Sequence, residues 1–142
     1  MSVTYIPAEL RRIVTQRAEQ CCEYCLLHQS DSFFSLEVDH IIPEKHGGLT
    51  EEDNLALSCP DCNGYKGSDI ASFDPQTSAL TLLFHPRKHD WSEHFQLSSA
   101  YIAPITDIGR VTIKILKINT PERVEDREVY RQLGSYPGKS LE

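Results

Sequence analysis

The chain reads as an α+β fold built around a short β-hairpin and a helix, and three observations predict it. Two C-x-x-C pairs, Cys22-Glu23-Tyr24-Cys25 and Cys59-Pro60-Asp61-Cys62, bracket the segment that carries most of the polar side chains. Between them lie two short runs with strand character, residues 33–38 and the alternating Leu55 and Leu57. Helical signals flank this core, with Pro7 ahead of an apolar 3–4 repeat and Pro60 at the second cysteine pair. Each pair can turn two thiolates toward one ion, so four thiols at this spacing predict a closed tetrahedral structural zinc site on Cys22, Cys25, Cys59 and Cys62.

In chain order, Ile6, Leu10, Ile13, Val14 and Ala18 mark the buried stripe of an amphipathic helix over residues 1–20. Arg11, Arg12 and Arg17 stand off that stripe and are candidates for phosphate contacts. Cys21 is the odd cysteine. It reads as a small packed residue, because Cys22 gives the same spacing as the second pair. His28 takes no role, and His46 in the loop Lys45-His46-Gly47-Gly48 reads as solvated.

Residues 33–38 are rich in strand formers and run into Val38-Asp39-His40-Ile41-Ile42-Pro43, where proline ends the strand. Neighbouring strand residues face opposite ways, so Asp39 and His40 can serve one site only if the strand end is distorted. Thr50-Glu51-Glu52-Asp53 reads as a cap or turn that delivers Asn54 to the second strand. A helix from Pro60 would place Asn63 and Lys66 on one face as i and i+3 neighbours. Beyond Ser68, residues 74–77 read as a turn, 80–84 as a strand, and Trp91, Phe95 and Leu97 as the start of an extended segment ending near Pro104. Thr106 caps a helix through Ile118, and Thr120-Pro121 opens a last helix that stops near Gly134. Leu141-Glu142 reads as an expression-tag remnant.

These elements form one domain: a helix over 1–20, a core over 21–70 and an extension over 71–140. No stretch approaches 18 apolar residues and no secretory leader pattern opens the chain, so neither a membrane span nor an export signal is expected. Reduced zinc-binding thiols fit a cytoplasmic protein. The formal charge is −7, and residues 21–70 hold ten carboxylates against Lys45 and Lys66, while the flanks are close to neutral. Nucleic acid would then be held mostly by the flanks: Arg11, Arg12 and Arg17, and Arg87, Lys88 and Arg110. His85, His89 and His94 lie close in sequence to Arg87 and Lys88, a neighbourhood suited to a phosphate track. No Gly-rich phosphate loop or G-x-S-x-G elbow is present in the sequence, which removes P-loop and serine-hydrolase chemistry.

The D-H-I-I-P run at 39–43, Gly47-Gly48, Asn54-Leu55 and Cys59-x-x-Cys62-Asn63-x-x-Lys66 together resemble the HNH endonucleases, the ββα-metal or His-Me finger nucleases. Asn63 stands where histidine gives the family its last letter, a substitution shared with the HNH domains of RNA-guided DNA nucleases. The resemblance implies His40 as general base on water, Asp39 and Asn63 on one Mg²⁺ or Mn²⁺, Asn54 as a loop brace, and Lys66 at a phosphate. It also implies DNA as the partner. The L-F-x-P-R run at 83–87 and W-x-x-H-F at 91–95 resemble the C-terminal extension of small bacterial HNH proteins. Two other readings stand beside it: a zinc-stapled nucleic-acid or protein adaptor without cleavage, and a thiol redox protein, which needs reactive cysteines not held by zinc.

Overall fold

The structure is a computed structural model that describes residues 5–141. The first residues of the expected N-terminal helix segment, 1–4, and Glu142 of the expected tag remnant lie outside the described residues. Five α-helices and three two-stranded antiparallel sheets follow one another along it.

Helix α1 (Ala8–Arg17) starts after Pro7 and packs Val14, with Ile6 and Ala18, against Leu55 and Leu57. Burying one such aliphatic side chain contributes roughly 1.5–3 kcal/mol, which fixes the helix to the hairpin below. That hairpin pairs β1 (Glu37–His40) with β2 (Leu55–Ser58), Glu37 opposite Ser58 and His40 opposite Leu55. All four residues of β2 are buried, since α1 covers one side and the first cysteine turn lies along its edge. Helix α2 (Pro60–Lys66) begins at the predicted proline, with Cys59 at its N-cap.

Two expectations about β1 are corrected. The strand does not begin at Phe33: Phe33 is 94% exposed and Phe34 66%, stacked edge-on with each other in a loop. Strand propensity reflects packing against neighbours, and among the described residues no strand pairs with 33–34. The pairing also stays regular through His40, so the expected break in the ladder is absent; β1 ends at His40, and the imidazole is close enough to the Asp39 carboxyl to act on its charge, so the two side chains meet at the strand end without a bulge.

In the extension, β3 (Ala71–Phe73) pairs with β4 (Leu80–Leu82) across the predicted turn. The segment after Asp90 is not extended at its start: Trp91–His94 forms a helical turn, α3, and β5 (Phe95–Ser98) then pairs with β6 (Tyr101–Pro104). Thr106 caps α4 (Asp107–Leu116) by accepting from Gly109 N, and Lys117 in the left-handed region ends it two residues before the expected Ile118. Thr120 and Pro121 open α5 (Pro121–Gln132) as predicted. Leu83, Phe84, Phe95, Ile102, Val111 and Leu116 share one core with the four cysteines and Tyr24, so extension and cysteine cluster bury a common apolar surface. Trp91 Nε1 donates to Tyr24 O at 2.8 Å and Tyr136 Oη to Cys25 O at 2.7 Å, tying the same two parts by polar contacts.

Candidate metal and catalytic site

The four predicted thiols converge. The Sγ atoms of Cys22, Cys25, Cys59 and Cys62 all lie within 4.8 Å of one another, with Cys25 and Cys59 3.6 Å apart. Four sulfurs at 2.3 Å from a central zinc would stand about 3.8 Å apart, so the cluster fits that ion. Each turn also aims a backbone N–H at a sulfur: Cys25 N at Cys22 Sγ (3.5 Å) and Cys62 N at Cys59 Sγ (3.4 Å). Burial pushes the thiols of Cys22 and Cys62 up, and hydrogen bonding by Cys22 pushes that of Cys59 up, while Cys25 is drawn down by hydrogen bonds from the other three. Protein groups alone thus favour one thiolate, and four together require a cation.

Sequence reasoning missed Arg123. Its Nη2 lies 3.1 Å from Cys62 Sγ and 3.8 Å from Cys59 Sγ, while Nη1 donates to Leu116 O and Lys117 O at the end of α4. One guanidinium therefore offsets thiolate charge and satisfies helix-end carbonyls. Glu23, inside the first pair, was missed as well. Its backbone N donates to Leu57 O and its Oε2 accepts from Leu57 N, so the cysteine turn pairs along the β2 edge as a third strand would. Cys21 is buried outside the cluster, as expected, and burial raises its thiol to about 11.

Asp39 and Glu37 share one face of β1, and Asn63 reaches that face from α2, its Nδ2 donating to Glu37. That bond leaves the Asn63 side-chain oxygen for another partner. Burial raises the Asp39 carboxyl above the usual range, opposed first by the Lys66 ammonium and then by the imidazole and N–H of His40. A partly buried carboxylate and an amide oxygen are hard donors, the set that Mg²⁺ or Mn²⁺ takes.

Lys66 differs from its expected place. Its side chain is 2% exposed, with Nζ 3.5 Å from Asp39 Oδ2 and donating to His40 O at 3.2 Å. It positions the strand end from beneath instead of offering an open charge to a phosphate. His40 is buried, and its Nε2 is hydrogen-bonded to Thr50 Oγ1 at 2.8 Å, a role for Thr50 that its place in the predicted turn did not suggest. Asn54 braces the loop between them: Oδ1 accepts from Ile42 N, and Nδ2 donates to Ile42 O and Leu49 O, each at 2.9 Å. Gly48 is required there, since a Cβ would stand 1.7 Å from Ile42 O. His46 is exposed, and its Nε2 is 3.1 Å from Ser68 O, closing the loop onto the turn after α2.

The flanking basic residues are mostly engaged inside the chain. Arg11 donates to Ile6 O, Arg12 pairs with Glu9, and Arg17 donates to Leu55 O at 2.8 Å. Arg87 pairs with Glu23, and Arg110 binds both carboxylate oxygens of Asp74, at 2.9 and 2.7 Å. Lys88, by contrast, is exposed. His85, His89 and His94 do cluster, around Phe84, with the rings of His89 and His94 5.0 Å apart.

Residues 22–69 match the family model for HNH endonuclease, the stretch that holds all four cysteines together with Asp39, His40, Asn54, Asn63 and Lys66. No curated protein and no solved structure matches the chain.

Proposed function

We propose, from the HNH endonuclease domain that this chain carries over residues 22–69, that it is a metal-dependent endonuclease hydrolysing phosphodiester bonds of DNA. The observation that carries this is the polar face where Asp39 and Asn63 stand beside a strand end held by Lys66 and Asn54, with His40 closing the strand. A pure adaptor needs the cysteine cluster but none of these side chains.

Hydrolysis of a phosphodiester needs a base for water, charge neutralisation at phosphate and help for the leaving oxygen. His40 takes the proton from water; its hydrogen bond to Thr50 through Nε2 fixes the ring and leaves Nδ1 for that task. General-base action of this kind is worth roughly 10²- to 10⁴-fold. Asp39 and the Asn63 oxygen would hold Mg²⁺ or Mn²⁺, which supplies Lewis-acid neutralisation of phosphate and of the leaving 3′ oxygen. Lys66 keeps Asp39 aimed, and Asn54 keeps the loop that carries Thr50 in register. Zinc on the four cysteines would hold the two halves of the site together and take no part in chemistry.

Among the described residues no helix is long and apolar enough to cross a membrane. The same reading places the protein in the cytoplasm, where five free thiols stay reduced. Plasmid nicking with and without Mg²⁺ or Mn²⁺ tests the proposal: the zinc-loaded chain cuts only with added cation, and His40→Ala abolishes cutting at unchanged zinc content. A His40→Ala protein that cuts at the parent rate overturns the mechanism, and a parent inert with either cation leaves the adaptor reading.

A further inference from the structure

A cavity of about 120 Å³ lies beside the site, and none of the proposed chemistry uses it. Ile41 and Ile42, which follow His40 directly, form part of its wall, and Lys66 joins them from the Asp39 side. Ile70 and Phe84 extend the apolar lining. Its polar groups, apart from Lys66, are Asp69, His85, Lys88 and His89, contributed by the connection after α2 and by the segment after β4.

The two imidazoles are fixed in one tautomer. His85 Nδ1 accepts from Arg87 N at 3.2 Å and His89 Nδ1 accepts from His85 N at 3.0 Å, so in each neutral ring the proton is on Nε2. Burial brings His85 down to about 4 and lowers His89 as well, which keeps both uncharged at neutral pH. Neutral N–H donors in an apolar wall suit a planar, uncharged, hydrogen-bonding ligand; of the charged groups in the lining, the Lys66 ammonium is already engaged by Asp39 and His40 O, and Asp69 offers an acceptor. At about 30 Å³ per water, the space equals about four waters, the scale of one heteroaromatic ring.

We propose that this cavity receives one unstacked nucleobase of the strand held at Asp39, His40 and Asn63, its faces against Ile42, Ile70 and Phe84 and its polar edge met by His85, His89 and Asp69. The inference rests on the nuclease reading for the strand and on the cavity alone for the base. Unstacking costs least where the base is mismatched or already single-stranded, so the enzyme prefers such sites over matched duplex. Lys88, exposed beside the cavity, would meet the phosphate of the inserted nucleotide.

Binding is read first without cleavage, from the imidazole NMR resonances of His85 and His89 in the zinc-loaded full chain. Adenosine, guanosine, cytidine and thymidine are titrated singly, and inorganic phosphate is the control. At least one nucleoside shifts both histidines saturably, phosphate does not, and Ile70→Trp, which fills the cavity, removes the response. Should Ile70→Trp not fold, Leu82→Trp replaces it, at a cavity-lining position that is 60% exposed. A response to phosphate alone, no response to any nucleoside, or one unchanged in the folded filled variant overturns the proposal. In cleavage, a duplex with one mismatch is cut about tenfold faster than its matched form, and the filled variant loses that ratio while hydrolysing bis(p-nitrophenyl) phosphate at the parent rate. Equal cutting of both duplexes overturns the preference. If nothing is hydrolysed, the nuclease reading fails, and the nucleoside titration still judges the cavity.

Discussion

Replacing Asn54 probes the link between fold and site most directly. Its amide makes three hydrogen bonds of 2.9 Å, to Ile42 N, Ile42 O and Leu49 O, and the side chain is largely buried. Asn54→Ala deletes all three and leaves one donor and two carbonyls of the loop without partners. At about 1 kcal/mol net for each bond the loss is about 3 kcal/mol, because water entering this partly exposed loop offsets the larger penalty of a dry orphan group. For a chain of this size that lowers the melting temperature by roughly 6–12 °C. Asn54→Asp distinguishes bracing from simple filling: a carboxylate still accepts from Ile42 N but turns an oxygen toward the carbonyls of Ile42 and Leu49, so it destabilises at least as much as alanine. Urea and thermal unfolding of the zinc-loaded proteins measure both. The loop also holds Thr50 against His40 Nε2, so cleavage falls in both variants at temperatures where they remain folded. An Asn54→Asp protein as stable as the parent, or an Asn54→Ala loss under about 1 kcal/mol, refutes the bracing role.

Cys59→Ser removes one of the four thiols that would hold zinc and the sulfur that accepts from Cys62 N at the start of α2, so the core should be unfolded; structural zinc contributes roughly 10–16 kcal/mol in short zinc domains. Elemental analysis and far-UV circular dichroism check this, and a strong chelator applied to the parent should reproduce it. Arg110 holds the Asp74 carboxyl well below the usual carboxylate range, so the pair contributes stability above the unfolded value of about 4 and loses it as pH falls below that. Arg110→Ala should therefore destabilise at pH 7 and converge on the parent toward pH 2, as measured by urea midpoints. Lys88→Ala should leave stability unchanged and lower the slope of log affinity against log salt by about one unit, in a His40→Ala background. Arg87→Ala, which strands the buried Glu23, should instead lower the melting temperature with the salt slope unaltered.

The cysteine cluster, α2, and the caps of α4 and α5 were legible in the sequence because each is set by local spacing: two residues between thiols, a proline at the first helical position, a threonine ahead of a helix. Phe33 and Phe34 misled for the opposite reason. Strand propensity is a packing property, and whether a neighbour covers two phenylalanines is decided elsewhere in the chain. Arg123 was invisible for a similar reason, since 61 residues separate it from Cys62, and nothing near it in sequence marks it as a sulfur's partner.

Charge was the least legible property, and the arginines show why. Counting signs along the chain nominated Arg11, Arg12, Arg17, Arg87, Lys88 and Arg110 as phosphate contacts, yet every arginine among them is engaged by a carbonyl or carboxylate of its own chain. A guanidinium has five donors in a fixed fork, and a fold with surplus carboxylates and helix-end carbonyls offers partners at shorter range than any ligand. Lysine, a flexible point charge that prefers water, tends to be left at the surface, and Lys45 and Lys88 are exposed. Where acidic residues dominate a core, arginine count measures internal stitching, and the exposed lysines better indicate where a polyanion can approach.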